Sequence, residues 1–262
     1  MTADWTVVVG IKQVPDEDDV SIDPDTGTLN RAEAAAVLNP PDLNALEAAL
    51  ELKDKVGAEV IAVTMGPPNA TPVLDLAVAL GCDDAALISD RAFAGSDTWP
   101  TSLTLAYALE YFDADVGIFG EETTDSSTGK VPPGIAAHLD WAQLTYVSEL
   151  EPRPEDDQLV ATRDVEGGHE RVAADLPVVV AIGYGENTPR PAGLHRKIYA
   201  ETEFEPMKLD TEALGIDPDE VGLDASPTQV GGMDTADPVE REQKVLDDVD
   251  AIAEAIVDSG VV

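Results

Sequence analysis

"EVIAVTMGPPNATPVLDLAVALGCDDAALIS", residues 59–89, decides the fold class. It opens on a short β-branched, apolar run, 59–66, which reads as a buried strand. Gly66-Pro67-Pro68 ends that run. Asn69 then stands as a cap before 70–81, a segment of helical character that Gly81 stops. A second short apolar run, 85–89, is again a strand. A strand, a crossover helix and a strand make a unit whose two strands lie parallel.

The same alternation continues on both sides. Residues 5–14, "WTVVVGIKQV", read as a buried strand. From 42 to 56, Leu43, Leu46, Ala49, Leu50 and Lys53 recur at spacings of three and four, which predicts a helix. Residues 99–112 read as a helix and 115–120 as a strand. The pattern predicts an α/β domain with a parallel sheet and helices on both faces. In such sheets ligands bind beyond the carboxyl ends of the strands. Those ends fall at 10–12, 64–67 and 120–125, each with glycine or small polar residues where a backbone must come close to a ligand.

Neither G-x-G-x-x-G nor G-x-x-x-x-G-K-[ST] occurs, which excludes a standard dinucleotide dehydrogenase and a P-loop enzyme. After Gly120, residues Asp125, Ser126, Ser127, Thr128 and Gly129 form a polar loop before a helix that starts near Pro132 or Pro133. Amides and hydroxyls at a helix start suit a phosphate. An ordinary capped helix start has the same composition, so both readings stand on these residues alone.

Residues 20–30 predict a hairpin around Pro-Asp-Thr-Gly. Asp23 and Asp25 lie in it, but the distal bidentate Glu of a calcium loop is missing, which favours a plain turn. Residues 142–182 are mostly extended, and within them 161–182 predict a hairpin with Gly167-Gly168 at its centre. A long irregular connection then leads to a short helix, and 222–238 read as a Gly/Pro-rich linker. Residues 238–258 predict an amphipathic helix with Val245, Val249, Ile252 and Ile256 on one face. The expected organisation is an α/β domain over 1–205, with a hairpin extension at 142–182. A linker and C-terminal helix that docks on a partner occupy 206–262.

Asp and Glu number 53 against 15 Lys and Arg, a net charge of -38 spread over the whole chain of 262 residues. A dispersed acidic surface keeps a protein soluble in concentrated salt, so the charge reads as adaptation to a saline cytoplasm. The rival reading is a docking surface for a basic partner. Nucleic acid is disfavoured as a ligand, because phosphates need Lys and Arg clusters that are absent here. The 44% apolar fraction indicates a globular chain. No apolar run approaches the ~18 residues that span a bilayer, and no basic region precedes the first apolar run as in a signal peptide. Cys82 is the lone cysteine, which excludes an internal disulfide and fits a reducing cytoplasm. His138, His169 and His195 have no spacing to Ser, Cys or acids that suggests a triad or a metal site. Neither a catalytic residue nor a metal is expected.

The stretch 161–182, "ATRDVEGGHERVAADLPVVVAI", resembles the signature of electron transfer flavoprotein β subunits. Ala161, Arg163, Glu166, Gly167, Gly168, Glu170, Val172, Pro177, Val179, Val180 and Ala181 satisfy that pattern. The resemblance extends along the chain. "GIKQVPD" at 10–16, "LNPPDLNALEAALELKD" at 38–54, "VTMGPP" at 63–68 and "LAVALGCDDAALISD" at 76–90 are similar to family segments. "NTPRPAGL" at 187–194 stands where the family has its partner-recognition loop.

The resemblance implies a Rossmann-like nucleotide-binding domain in a heterodimer with an α subunit that holds most of the FAD. The pair would carry electrons from flavin dehydrogenases to a membrane quinone oxidoreductase. It further implies a second nucleotide on this chain, AMP or FAD, contacted by Gly10, Asn39, Pro40, Pro41, Asp42, Met65, Gly120, Asp125, Ser126, Ser127, Thr128, Gly129 and Val131. Leu194 falls at the leucine that inserts into partner dehydrogenases, with Arg190 and Arg196 beside it. Glu121-Glu122-Thr123 and Thr128-Gly129-Lys130 depart from the AMP-binding pattern. The Asp-x-x-Thr-x-x-Val-x-Pro arrangement looks more like the branch that binds a second FAD and can bifurcate electrons. "PRPAGLHRKIYA" departs from the common recognition-loop form as well. The alternative is an adenine-nucleotide-binding regulatory protein with no electron role.

Overall fold

The structure, a computed structural model, describes residues 5–16, 21–22, 29–30, 36–228 and 248–258. Its elements run β1 (Thr6–Gly10), β2 (Gln13–Pro15), β3 (Ser21–Ile22), β4 (Leu29–Asn30), β5 (Ala36–Leu38), α1 (Pro40–Val56), β6 (Glu59–Met65), α2 (Thr71–Leu80) and β7 (Asp84–Ile88). There follow α3 (Thr98–Tyr111), β8 (Val116–Gly120), α4 (Val131–Leu139), β9 (Ala142–Arg153), β10 (Gln158–Val165), β11 (Gly168–Asp175) and β12 (Val178–Ile182). The remainder are α5 (Leu194–Thr202), β13 (Met207–Leu209), α6 (Thr211–Leu214), α7 (Gly222–Ala225) and α8 (Val249–Asp258).

One nine-stranded sheet has the order β11-β10-β9-β12-β8-β1-β6-β7-β13. From β9 across to β13 every neighbouring pair is parallel, as the strand–helix alternation predicts. β10 and β11 extend it as an antiparallel ladder. The chain runs β1, β6, β7 toward one edge, and α3 then carries it back to β8 on the other side of β1. The strand order therefore reverses between β1 and β8, where α/β sheets open a crevice for ligands.

The helices cover both faces, and alternation along β1 decides which side each residue serves. Val7 and Val9 pack with Leu46, Leu50 and Leu74 of α1 and α2. Val8 packs with Leu105, Leu109 and Ile135 of α3 and α4. β8 and β12 are buried at every position, as strands covered on both faces must be. Truncating a fully buried leucine such as Leu46 costs ~2–5 kcal/mol.

β9 follows neither strand nor helix periodicity. Its buried residues Leu144, Val147 and Leu150 recur every third position. The register slips once against β12 and once against β10, so two bulges bring all three onto the α1 side. Tyr146 takes φ 55 at the first slip and stays exposed. The β10–β11 hairpin closes through Glu166-Gly167, with Gly167 at φ 90, a conformation glycine adopts without strain.

Several expectations need correction. Asn69 does not cap α2: it lies in a 3-10 turn, Pro68–Ala70, and the helix begins at Thr71 without a side-chain cap. Pro68 and Pro72 set that geometry, since each fixes its own φ at the start of a turn. Gly81 does end the helix. The boundary expected at 205/206 falls inside the folded unit, which extends to Gln229. Met207–Leu209 pairs with β7 as the sheet's edge strand, and the Ser226 hydroxyl accepts from Asp97 N. The turn with Asp23 and Asp25, and Val245, lie outside the described residues. β3 and β4, which flank that turn, pair antiparallel. The second unit contributes α8, whose Val249, Ile252 and Ile256 are exposed. Among the described residues no helix is long and apolar enough to cross a membrane, and no group of acids, histidines and cysteine is arranged for a metal.

Candidate functional site

The crevice between β1 and β8 is organised by the start of α1. Asn39 leads into two prolines at the first helical turn, which need no N–H partner there. Asn39 is fully buried: its amide donates to Glu122 O at 3.0 Å, and its Oδ1 accepts from Thr124 N at 3.1 Å. Asp42 accepts from Lys12 N at 2.8 Å and from Gly120 N at 3.3 Å. One carboxylate thus ties together the two strand ends that flank the switch point. Burial pushes the Asp42 carboxyl up to about 7, against the pull of Asn39, the two backbone donors and the Lys12 charge.

Gly10 and Gly120 have packing reasons to be glycine. A Cβ on Gly10 would collide with the Phe119 ring, and one on Gly120 would stand 2.5 Å from Asp42 Oδ1 and 2.8 Å from the Pro41 carbonyl carbon. The glycines read from sequence as room for a ligand are used by the protein itself. Met65 ends β6, the neighbour of β1, and packs half-buried on the α3 side.

Beyond Gly120 the loop doubles back on itself. Ser126 N and Ser127 N donate to Thr123 O, and the Thr123 and Ser126 hydroxyls pair at 2.8 Å. Ser127 and Gly129 hold φ 43 and φ 60. Ser126, Ser127, Thr128 and Gly129 are exposed on this turn, just before α4. α4 begins Val131-Pro132-Pro133, so two donors usual at a helix start are missing. A phosphate here would be met by loop amides and hydroxyls rather than by the first turn of the helix.

The nearby acids are mostly turned onto the protein. Both oxygens of Asp125 accept from Lys12 Nζ at 2.7 Å, and Thr123 Oγ1 donates to Oδ1. Burial alone would raise the Asp125 carboxyl, but these contacts hold it below the usual range. Glu121 accepts from Tyr184 N at 3.4 Å, and burial, with Glu122, Glu186 and Asp164 nearby, raises it. Glu122 remains exposed. With the Ser126 and Ser127 amides and hydroxyls turned onto Thr123, Thr128 and Gly129 are the exposed donors of the loop, and the structure brings Gly10, Asn39, Pro40, Pro41, Asp42, Gly120 and Asp125 into one cluster.

The second expected site is a separate surface. Leu194 is 76% exposed at the first residue of α5, and Ile198, one turn on, is 52% exposed. Arg190 and Arg196, expected beside Leu194 as partner contacts, are both engaged inside the chain. Arg196 donates to the carbonyls of Val78 and Cys82 at the end of α2. Arg190 is bound to Glu47 and Asp54 of α1. Of the histidines, His138 packs edge-on against Trp99 at 4.5 Å, His169 pairs with Asp164 on the hairpin, and His195 is exposed on α5.

The sequence reading missed Lys12, Asn44 and Glu47. Lys12 was the one base among the three strand ends read as a ligand crevice; Asn44 and Glu47 gave no signal, being polar residues on a helix whose partners lie 143 positions away.

A model described as "Electron transfer flavoprotein domain" matches residues 26–205. The chain is 40% identical over 229 residues to "Electron transfer flavoprotein subunit beta" of Thermoanaerobacterium thermosaccharolyticum, covering 87% of each chain. It is 40% identical to "Caffeyl-CoA reductase-Etf complex subunit CarD" of Acetobacterium woodii, over 86% of this chain and 85% of the other. "Protein FixA" of Azotobacter vinelandii is 38% identical over 93% of this chain and 89% of its own. The family model spans the strand ends at 64–67 and 120–125, the 120–131 loop and the hairpin together, and the chain belongs to the electron transfer flavoprotein family, among its β subunits.

Proposed function

We propose that the chain pairs with an α subunit as one half of a soluble, cytoplasmic electron carrier. It takes electrons from flavin dehydrogenases and passes them toward a membrane quinone oxidoreductase. FAD, held mainly by the α subunit, supplies the redox chemistry when bound. This chain adds a nucleotide seat and a docking surface.

The seat is the 120–131 loop beside the β1/β8 crevice. The observation that carries it is the exposed turn of Ser126, Ser127, Thr128 and Gly129, with Asp125 drawn off onto Lys12. A phosphate cannot be buried unpaired, and Thr128 and Gly129 answer it without bringing Asp125 against it, while Ser126 and Ser127 shape the turn through Thr123. Asn39 and Asp42 hold the loop and the strand ends in place rather than offering free side chains. FAD is favoured over AMP as the occupant, because Asp125, Thr128, Val131 and Pro133 follow the pattern of the branch that holds a second flavin and bifurcates electrons. The docking surface is the 187–200 segment with Leu194 as its anchor. The net charge of -38, dispersed over the chain, supports a cytoplasm of high salt, as in halophilic archaea.

The test is a nucleotide count on the purified heterodimer. Two FAD per heterodimer are expected. One FAD with one AMP assigns the seat to the simple carrier, and a single FAD with no further adenine nucleotide overturns the seat altogether.

A further inference from the structure

We propose that Arg190 is a positioning residue for partner docking: clamped on Glu47 of α1, it fixes the 183–193 segment and so sets the ridge of Leu194 and Ile198. The inference rests on the reading of Leu194 as the docking anchor.

The clamp is built from both sides. The Glu47 side chain is only 9% exposed, and it accepts Arg190 N at 2.9 Å, Nε at 3.0 Å and Nη2 at 3.0 Å. The same Nη2 reaches Asp54 Oδ2 at 2.9 Å. One helical turn back, Asn44 Nδ2 donates to Asn187 O and Oδ1, and Asn187 Nδ2 donates to Asn44 O. Gly185 N donates to Asn44 Oδ1. A segment with glycines at 183, 185 and 193 is thereby held on α1 at three residues, 185, 187 and 190.

The physical consequence concerns ordering. An untethered glycine-rich segment must be immobilised when a partner binds, and that cost weakens association without touching the chemistry. A tethered one presents its anchor already placed. The planar guanidinium suits this task, because it gives two parallel donors to one carboxylate while its backbone N–H gives a third. Arg190 therefore acts on docking through Leu194, from a position where its charge faces inward.

The experiment uses the assembled heterodimer, with an electron-donating flavin dehydrogenase purified from the same cells as probe. Leu194→Ala, Arg190→Gln and Glu47→Gln are each expected to raise KM for the dehydrogenase about tenfold, the worth of a charge-assisted contact or a small anchor. Limiting kcat and flavin content stay at wild-type values. The double variant Arg190→Gln with Glu47→Gln is no worse than either single. Hydrogen exchange over 183–202 quickens in the two clamp variants and not in Leu194→Ala. A raised KM in Arg190→Gln with an unchanged KM and unchanged exchange in Glu47→Gln overturns the proposal, because buried Glu47 cannot touch a partner and Arg190 would then be a direct contact. If Glu47→Gln does not assemble, Arg190→Lys decides: it keeps the charge and loses the fork, so a wild-type KM overturns the clamp. An unchanged KM in Leu194→Ala sinks the docking reading itself, and the exchange data still judge whether the clamp orders the segment.

Discussion

Asp42→Asn tests the centre of the candidate site by a difference that other acids cannot imitate. Asp42 is 5% exposed, and burial moves its carboxyl from an ordinary 3.8 to about 7. The folded state therefore keeps a proton that the unfolded chain releases between those two values. Stability from this group is fullest below the unfolded value, falls as pH rises from about 4 to about 7, and is flat above. At 1.36 kcal/mol per unit the whole effect is about 4 kcal/mol, of which roughly 2.5 kcal/mol falls between pH 5 and pH 8. Asparagine has the same shape and does not titrate. It leaves one of the two N–H donors, from Lys12 or Gly120, without its acceptor, a loss of ~1–3 kcal/mol that barely changes with pH. The assay is urea unfolding of wild type and variant at pH 5, 6, 7 and 8 in fixed molar KCl, followed by tryptophan fluorescence. The variant should gain about 2.5 kcal/mol on the wild type from pH 5 to pH 8, whatever its starting offset. Parallel pH profiles would refute the reasoning, because Asp42 would then ionise like an exposed carboxyl.

Other consequences can be checked directly. Raising KCl from 0.1 M to 3 M should lift the melting temperature, since screening to ~3 Å at 1 M separates neighbouring carboxylates; a melting point indifferent to salt contradicts the halophilic reading. Gly120→Ala should lower stability by ~1–3 kcal/mol, because its Cβ meets the Pro41 backbone as well as Asp42. A wild-type melting curve for that variant would mean that the crevice is looser than described. Thr128→Val with Gly129→Asp should remove the loop nucleotide and spare the flavin of the α subunit, as read by acid extraction. Unchanged stoichiometry would place the nucleotide elsewhere.

The sheet was legible because its parts obey local rules. In 59–89 a glycine-proline break and Gly81 mark both ends of the crossover, and the apolar runs are too short for helices. β9 was legible only as "extended": its period of three has no meaning until two register slips are known, and those depend on β10 and β12. The strand ends pointed to the crevice between β1 and β8, yet for a partly mistaken reason. Gly10 and Gly120 make room for Phe119 and Asp42, and the ligand argument used their flexibility instead. Arg190 shows the general limit. A basic residue in an acidic chain looks like an exposed contact, and nothing within ten positions reveals that Glu47, on the first long helix, faces it. Pairing across 143 positions is a property of the folded sheet, which brings α1 beneath the exit of β12.

The place of β12 between β8 and β9 also has a consequence for synthesis. β8 leaves the ribosome with only β1 to pair with, and its other edge, Val116–Gly120, waits for residues 178–182. At about 5–20 residues per second the intervening stretch takes roughly 3 to 11 seconds to make. For that interval the nascent chain carries an open, wholly apolar parallel edge, the kind of surface that pairs with other chains. The antiparallel β9–β11 ladder cannot close it, since β9 reaches the sheet only through β12. A nascent chain stalled before Val178 should therefore bind ribosome-associated chaperones or aggregate more than one stalled after Ile182, in which this edge is closed.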